Sequence, residues 1–382
     1  MSALSLSFRF ATFYGALFFV VGVLLPFWPI WLQGRGLSPE QIGVVLAVGP
    51  WLRILVDPVV TRVADRVGQG RRIIVIAAGF SVLSFAGFGL AGSFWAILLI
   101  MFVYAPAFHV LIPLGDAQTM AAVRRHGLDY GRIRLWGSLA FIAAALGVGE
   151  LLTGRDPDLI WLVALVSLGV VFATTLALRE QSALRGHAGW PDILRYLRTR
   201  SFLLFILAAS LVQASHAVLN GFSGIHWKAA GYSELAVGLF WGGGVLAEVL
   251  LFSMSGAVVA HLGARRLLLI GAGTALVRWI ILAQTTELSW LVVAQLMHGI
   301  TFGATYLAIM HYISDTAPEG MKTTAQGAYA SIAGLVMGLA LIASGDLYGS
   351  FGGGAFLAMA AVAAVALVLA CVSPRPDLPV RG

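Results

Sequence analysis

Cysteine is almost missing from this chain. Cys371 stands alone among 382 residues, so neither an intrachain disulfide nor a paired-cysteine metal motif can form. Charge is scarce too, at 11%, against ~25% in a soluble domain. No zinc-protease, nucleophile-elbow or phosphate-loop motif occurs. Gly87-Phe-Gly89-Leu-Ala-Gly92 fits the dinucleotide pattern, but it closes an apolar run with no strand before it. His109, His216, His226 and His311 fall on separate segments without ligand spacing. Redox, metal and soluble-enzyme chemistry have no foothold, and no cofactor is expected.

What is abundant is hydrocarbon. Hydrophobic residues make up 59% of the chain and the mean hydropathy is +0.91, which marks an integral membrane protein. A span needs ~20 mostly apolar residues to cross a ~30 Å core. Twelve runs qualify, near 10–32, 42–64, 73–91, 94–118, 132–153, 159–178, 201–226, 235–260, 266–285, 289–313, 324–345 and 354–373. The first follows Arg9 as a signal peptide would, yet it continues without a small-x-small cleavage site, so it is expected to be a retained span.

A net charge of +7 could suggest a nucleic-acid partner. The placement of the basic residues says otherwise. With the amino terminus inside, eighteen of the 24 Lys and Arg fall on inner segments, and only Arg35, Arg155 and Lys228 fall on outer loops. That asymmetry is the positive-inside rule and places both termini in the cytoplasm. The remaining three, Arg53, Arg134 and Arg278, lie within apolar runs.

Residues 179–200 form the longest polar stretch and divide the runs into bundles at 1–178 and 201–382. Inside this linker Pro191 can open a helix whose apolar face holds Trp190, Ile193, Leu194 and Leu197, suited to the inner leaflet. An internal repeat supports the division. Thr61-Arg-Val-Ala-Asp65-Arg66-Val-Gly68-Gln-Gly-Arg71-Arg72 and Gly256-Ala-Val-Val-Ala-His261-Leu-Gly263-Ala-Arg265-Arg266 each follow the second run of their half, and Thr61 to Gly256 and Gly68 to Gly263 are both 195 apart.

Charged groups within the membrane are expensive and mark function by default. At ~1.5 Å of rise per residue, Arg278 and His298 reach nearly the same depth, with Glu248 about a turn away. One reading is a proton relay, since carboxylate and imidazole can both load and release protons; the other is a static pair locking helices. Asp116 and Arg134 sit in the inner parts of consecutive spans and are expected to meet, as a substrate-binding pair or a purely structural one. Arg53 and Asp57, one turn apart, can neutralise each other and serve gate or substrate. Gly238 with Gly242, and Gly334 with Gly338, read as close-packing pairs. Trp28, Trp51, Trp136, Trp241 and Trp279 are core, interface or cavity-lining aromatics.

The repeated loop resembles the signature loop of the major facilitator superfamily: Asp65, Arg66, Gly68, Arg71 and Arg72 match, while Thr61 stands where glycine is usual and Ala260 replaces the second acid. That resemblance implies an all-α membrane fold of twelve transmembrane helices in two pseudo-symmetric six-helix bundles, with Asp57, Asp65, Arg66, Gly68, Arg71, Arg72, Gly256 and Gly263 at a cytoplasmic gate. Further segments are similar to the 3-phenylpropionic acid transporter branch, which is related to lactose permease. They are Leu25-Pro-Phe-Trp-Pro-Ile-Trp-Leu32, Leu128-Asp-Tyr-Gly-Arg-Ile-Arg-Leu-Trp-Gly-Ser138, Ala229-Ala-Gly-Tyr-Ser233, Ala247-Glu-Val-Leu-Leu251, Val277-Arg-Trp279, Val292-Val-Ala-Gln-Leu-Met-His298 and Tyr312-Ile313.

By that resemblance Asp116 and Arg134 are expected to bind substrate and Glu248, His298 and Arg278 to couple protons; Arg53, Trp28 and Trp136 join the expected substrate-binding set from their place in the apolar runs, not from the resemblance. The permease's glutamate after the histidine falls on Thr301, and its helix 11 lysine near Ala333, so Glu248 is the candidate proton carrier. The expectation is a proton-coupled symporter of a small aromatic carboxylate in the bacterial inner membrane, not an enzyme, working as a monomer by alternating access. A sugar or nucleoside symporter, a drug exporter and, more remotely, a membrane-embedded enzyme or sensor are the alternatives.

Overall fold

The computed structural model describes residues 3–181, 195–318 and 321–373, apart from the side chains of Ala3 and Asp65. The linker residues Trp190, Pro191, Ile193 and Leu194 lie outside them. Every regular element among the described residues is helical. The helices are α1 (Ala3–Gly34), α2 (Pro39–Val67), α3 (Gly70–Ala86), α4 (Phe94–His109), α5 (Leu111–His126), α6 (Tyr130–Leu152), α7 (Asp158–Ala177), α8 (Arg200–Ala214) and α9 (Ala217–Ala229). They continue as α10 (Glu234–Ser253), α11 (Ser255–Gln284), α12 (Leu288–Leu296), α13 (Thr305–Thr316), α14 (Lys322–Phe351) and α15 (Ala355–Val372).

Eleven helical stretches of the described chain are long and apolar enough to cross a membrane. The last, Lys322–Val372, holds α14 and α15 joined by a 3₁₀ turn at Gly352–Gly354, so each of the twelve expected runs has its helix. Three runs are broken in ways that hydropathy does not register. The fourth divides at Val110 into α4 and α5, and the seventh at Ser215 and His216 into α8 and α9. The tenth is interrupted by a π turn at Gly299–Ala304 between α12 and α13. The eighth run, expected to reach 260, stops at Ser253 because Met254 leaves helical geometry.

Local chemistry sets the ends. Ser38 and Gln41 form a capping box before α2, with Pro39 at its first position. Asp129 caps α6 and Thr199 caps α8. The prolines inside α1, α2 and α4 are tolerated because neighbouring helices and hydroxyls can satisfy the freed backbone.

By packing, the described chain falls into two compact units. The first gathers 1–185 with Phe222–Gly242, and the second Gly186–Gly221 with 243–382. In the first, α1 packs along α6 and α7, and α3 along α4 and α7. Its core is a ring cluster of Trp28, Trp31, Phe85, Phe88 and Tyr104. Phe222–Gly242 joins this unit through glycines: a Cβ on Gly238 would stand 1.9 Å from Ala145 O, and one on Gly224 2.6 Å from Pro26 O. In the second unit α11 packs on α15 and α13, and α8 on α14 and α15.

The internal repeat is visible in the backbone. Gly68 and Gly263 share a left-handed φ, 68° and 69°, which glycine adopts without steric cost. Just beyond each, an arginine closes the end of its unit's last helix. Arg71 Nη2 donates to Leu176 O of α7 at 3.0 Å, and Arg265 Nη2 to Cys371 O of α15 at 2.7 Å. Replacing Gly238 by Ala is expected to cost on the order of 1–3 kcal/mol by overpacking, read as a lower melting temperature in detergent. Gly273→Ala, where a Cβ meets nothing within 4 Å, should leave the melting temperature at or above that of the parent.

Candidate functional site

The densest polar constellation lies in the second unit, where α8, α10, α11 and α12 converge. Arg278 of α11 is completely buried. Its Nη1 donates to His298 Nδ1 at 3.2 Å and to Thr301 Oγ1 at 3.0 Å, and its Nη2 donates to Gln295 Oε1 at 3.1 Å. Thr301 Oγ1 in turn lies 3.2 Å from His216 Nε2, and His216 Nδ1 is 3.0 Å from Val212 O. The Arg278 guanidinium lies over the Trp279 ring, 4.7 Å from its centroid, and Trp279 donates Nε1–H to Ser215 Oγ at 2.9 Å.

The donors assign themselves. A guanidinium has no acceptor, so Nδ1 of His298 must accept, and a neutral imidazole then carries its proton on Nε2. That nitrogen faces Glu248 Oε2 at 3.8 Å, too long for a direct hydrogen bond but an ion-pair distance if the ring is charged. Val212 O can only accept, so His216 Nδ1 donates and its Nε2 takes the Thr301 hydroxyl proton. Arg278 thus has only neutral groups as its hydrogen-bond partners among the described residues, and its Nε has none there. A buried cation without a direct counter-ion is costly.

The structure brings Glu248, His298 and Arg278 into one chain of contacts. It adds His216, Gln295 and Thr301, which sequence reading had passed over. Their signal was there as spacing: Gln295, His298, Thr301 and Thr305 recur every three or four residues along one run, and Gln213, His216, Asn220 and Ser223 along another. The chain breaks at exactly these levels, at Ser215 and His216 and in the π turn that begins after His298. Such breaks are frequent at functional sites.

In the first unit the expected Asp116–Arg134 ion pair does not form. Asp116 Oδ1 accepts instead from Tyr14 at 2.5 Å and Tyr130 at 2.9 Å. Arg134 lies 3.6 Å over the Phe18 ring and 5.6 Å from that of Tyr14, a cation–π arrangement. Phenol donors on the acid and aromatic faces under the base satisfy each separately. Phe10, Tyr14 and Phe18, four apart on α1, were the unread signal.

The other candidates are dispersed. Arg53 Nε meets Asp57 Oδ2 at 3.3 Å, the local pair that its spacing predicts. Trp28 is buried in the ring cluster, stacked on Trp31 at 4.3 Å, and Trp136 is 58% exposed. Around the first repeated loop, Arg66 is exposed, Arg71 N donates to Glu180 Oε2 at 3.0 Å, and Arg72 Nη1 donates to Gln69 Oε1 at 3.2 Å. The side chain of Asp65 lies outside the described residues. A Cβ on Gly256 would meet nothing within 4 Å.

Comparison with known proteins follows the same lines. The family model "MFS_1 like family" matches residues 7–359. The "Probable 3-phenylpropionic acid transporter" of Escherichia coli (strain K12) is 37% identical over 371 residues, covering 93% of this chain and 95% of that protein. The maltose permease of Geobacillus stearothermophilus is 27% identical, covering 85% and 82%. Among solved structures, a mutant of the nucleoside transporter NupG superposes with a TM-score of 0.87 at 15% identity, covering 97% of this chain and 100% of that one. The matched fold is that of major facilitator transporters.

Thr301 is the keystone of the buried cluster, bridging Arg278 and His216. Thr301→Val strips both of a partner and is expected to cost roughly 1–3 kcal/mol, seen as a lower melting temperature in detergent. Thr301→Ser should recover most of it.

Proposed function

The chain belongs to the MFS_1 like family, a multi-pass membrane transporter of a small molecule and not an enzyme, and we propose that it carries an organic acid with an aromatic ring in symport with protons. The observation that carries this reading is the state of Arg278: fully buried, with neutral hydrogen-bond partners among the described residues and with Glu248 reached only through His298. The name of the 37% identical relative points the same way. Placement in the inner membrane with both termini cytoplasmic and action as a monomer belong to the same proposal, supported by the charge asymmetry of the loops and by a full set of spans in one chain.

Coupling follows from the sharing of one cation. While Glu248 is ionised it is a carboxylate linked to Arg278 through the His298 imidazole. A substrate carboxylate arriving at Arg278 places a second anion beside that cation in a low-dielectric site. Two anions against one cation repel, so Glu248 takes a proton. Binding of the acid and binding of the proton thereby favour each other, and the linkage is reciprocal. His298 cannot accept that proton on Nδ1 while Arg278 donates there, so Glu248 is the carrier. Within the first unit, Arg53, Arg134 and Asp116, the last held by its two tyrosines, are proposed as substrate-binding residues of that unit. Asp57, Arg66, Gly68, Arg71, Arg72, Gly256 and Gly263 serve the cytoplasmic gate.

A second reading, symport of a neutral sugar, is favoured by the likeness to a maltose permease. Proteoliposomes with an imposed pH gradient separate the two. Glu248→Gln is expected to abolish accumulation driven by the gradient while solute exchange continues; accumulation that persists would mean another group carries the proton. Arg278→Gln is expected to weaken binding of an aromatic acid by tenfold or more and that of its neutral amide little, since a charge-assisted bond contributes about 1.5–3 kcal/mol. Equal losses for both would favour the sugar reading.

A further inference from the structure

At the basic end of the first unit, α1 and the ends of α3 and α7 border an open basin of about 620 Å³. Its walls carry Arg9, Arg71, Arg72 and Arg179 beside Gln69 and Glu180. Arg9 and Arg71 donate to Ala177 O at 2.5 Å and Leu176 O at 3.0 Å, closing the negative end of α7. Glu180 is occupied by the Arg71 amide at 3.0 Å and by Gln118 Nε2 at 2.9 Å. One carboxylate against four guanidinium groups leaves the basin strongly cationic.

One donor there still lacks an anionic partner among the described residues. The Nε of Arg71 is buried and has no acceptor among the described residues, a donor that is costly to leave unmade. The N-terminus of α3, which Gln69 leaves without a side-chain cap, opens on the same basin and already donates its Arg71 amide to the Glu180 carboxylate.

The surface below the basin decides which anion. On α3, Ile76, Phe80 and Leu83 follow Arg72 at helical spacing and are 60%, 52% and 73% exposed. Alongside, α7 packs through Phe172 on Gly79 and exposes Val166 and Val170. A soluble phosphate would use the basin and have no use for the stripe. A lipid needs both. We propose that this basin binds the phosphate headgroup of an anionic phospholipid, with an acyl chain lying along Ile76, Phe80 and Leu83. Basic pockets between transmembrane helices hold acidic headgroups in this way. The site is distinct from the buried Arg278 cluster and does not depend on the transport reading.

The test titrates the detergent-purified full chain with phosphatidylglycerol, phosphatidylcholine or inorganic phosphate, following bound lipid by native mass spectrometry and stability by thermal shift. Phosphatidylglycerol is expected to bind and stabilise, phosphatidylcholine to do neither, and millimolar phosphate to leave the lipid in place. The double variant Arg72→Gln with Arg179→Gln should lower phosphatidylglycerol affinity at least about tenfold, while Arg124→Gln with Arg125→Gln, an equal change of charge at the end of α5, should change it less than about twofold. If the first pair does not fold, each of its single variants, both at exposed positions, should cost about fivefold. Equal losses from both pairs, no loss from either single variant, equal binding of phosphatidylcholine, or displacement of the lipid by phosphate would each overturn the proposal.

Discussion

One guanidinium, buried where no water reaches, sets the terms for the second unit. Arg278 cannot give up its charge as a lysine or carboxylate can, so the surrounding helices must supply acceptors for it. They do so from a single run: Gln295, His298 and Thr301 all receive its hydrogen bonds. A straight α-helix would spread those three around its circumference, since each step of three residues falls 60° short of a full turn. The π turn that begins after His298 re-aims the backbone so that the threonine and the imidazole face the same nitrogen. The break in the seventh run has a matching effect, setting Ser215 under the Trp279 indole and His216 against Thr301.

The first unit handles its intramembrane charges by a different rule. Arg53 and Asp57 neutralise each other on one helix, whereas Asp116 and Arg134 are kept apart and satisfied by neighbours that carry no charge. A phenol bonded to a carboxylate and a ring beneath a guanidinium leave both formal charges in place. A salt bridge would have cancelled them. In both units, then, an arginine of a membrane-crossing helix is held by neutral groups among the described residues.

How far the sequence could be read follows from the range of the forces involved. The twelve runs were legible because hydrophobicity is a local property summed over ~20 residues. The Arg53–Asp57 pair was legible because both residues share a helix. The convergence of Glu248, Arg278 and His298 could be anticipated from depth alone, since rise per residue fixes height even when azimuth is unknown. Azimuth is what failed elsewhere. Asp116 and Arg134 lie at compatible heights, but Tyr14 and Tyr130 reach the carboxylate first. His216 and Thr301 looked unremarkable as single polar residues, because serine, threonine and histidine in a span often satisfy themselves on a carbonyl three or four residues back; Ser81, Ser167 and Thr119 do so. The π turn had no composition cue at all.

Repetition and difference divide along the same boundary. What recurs at an offset near 195 residues is scaffolding: a left-handed glycine after the second span, and an arginine that closes the last helix of its unit with a bond to a terminal carbonyl. What does not recur is chemistry. The offset that carries Gly68 onto Gly263 carries Arg53 onto Glu248, Asp116 onto His311 and Arg134 onto Tyr329, but Asp57 onto Phe252 and Asp65 onto Ala260, so charge is changed at some matching positions and lost at others. A carboxylate in one unit standing where the other has a guanidinium means that the two halves cannot respond alike to the same proton or the same anion. A fold built on two similar bundles can thus carry different titratable groups at matching positions of its halves while the backbone around them repeats.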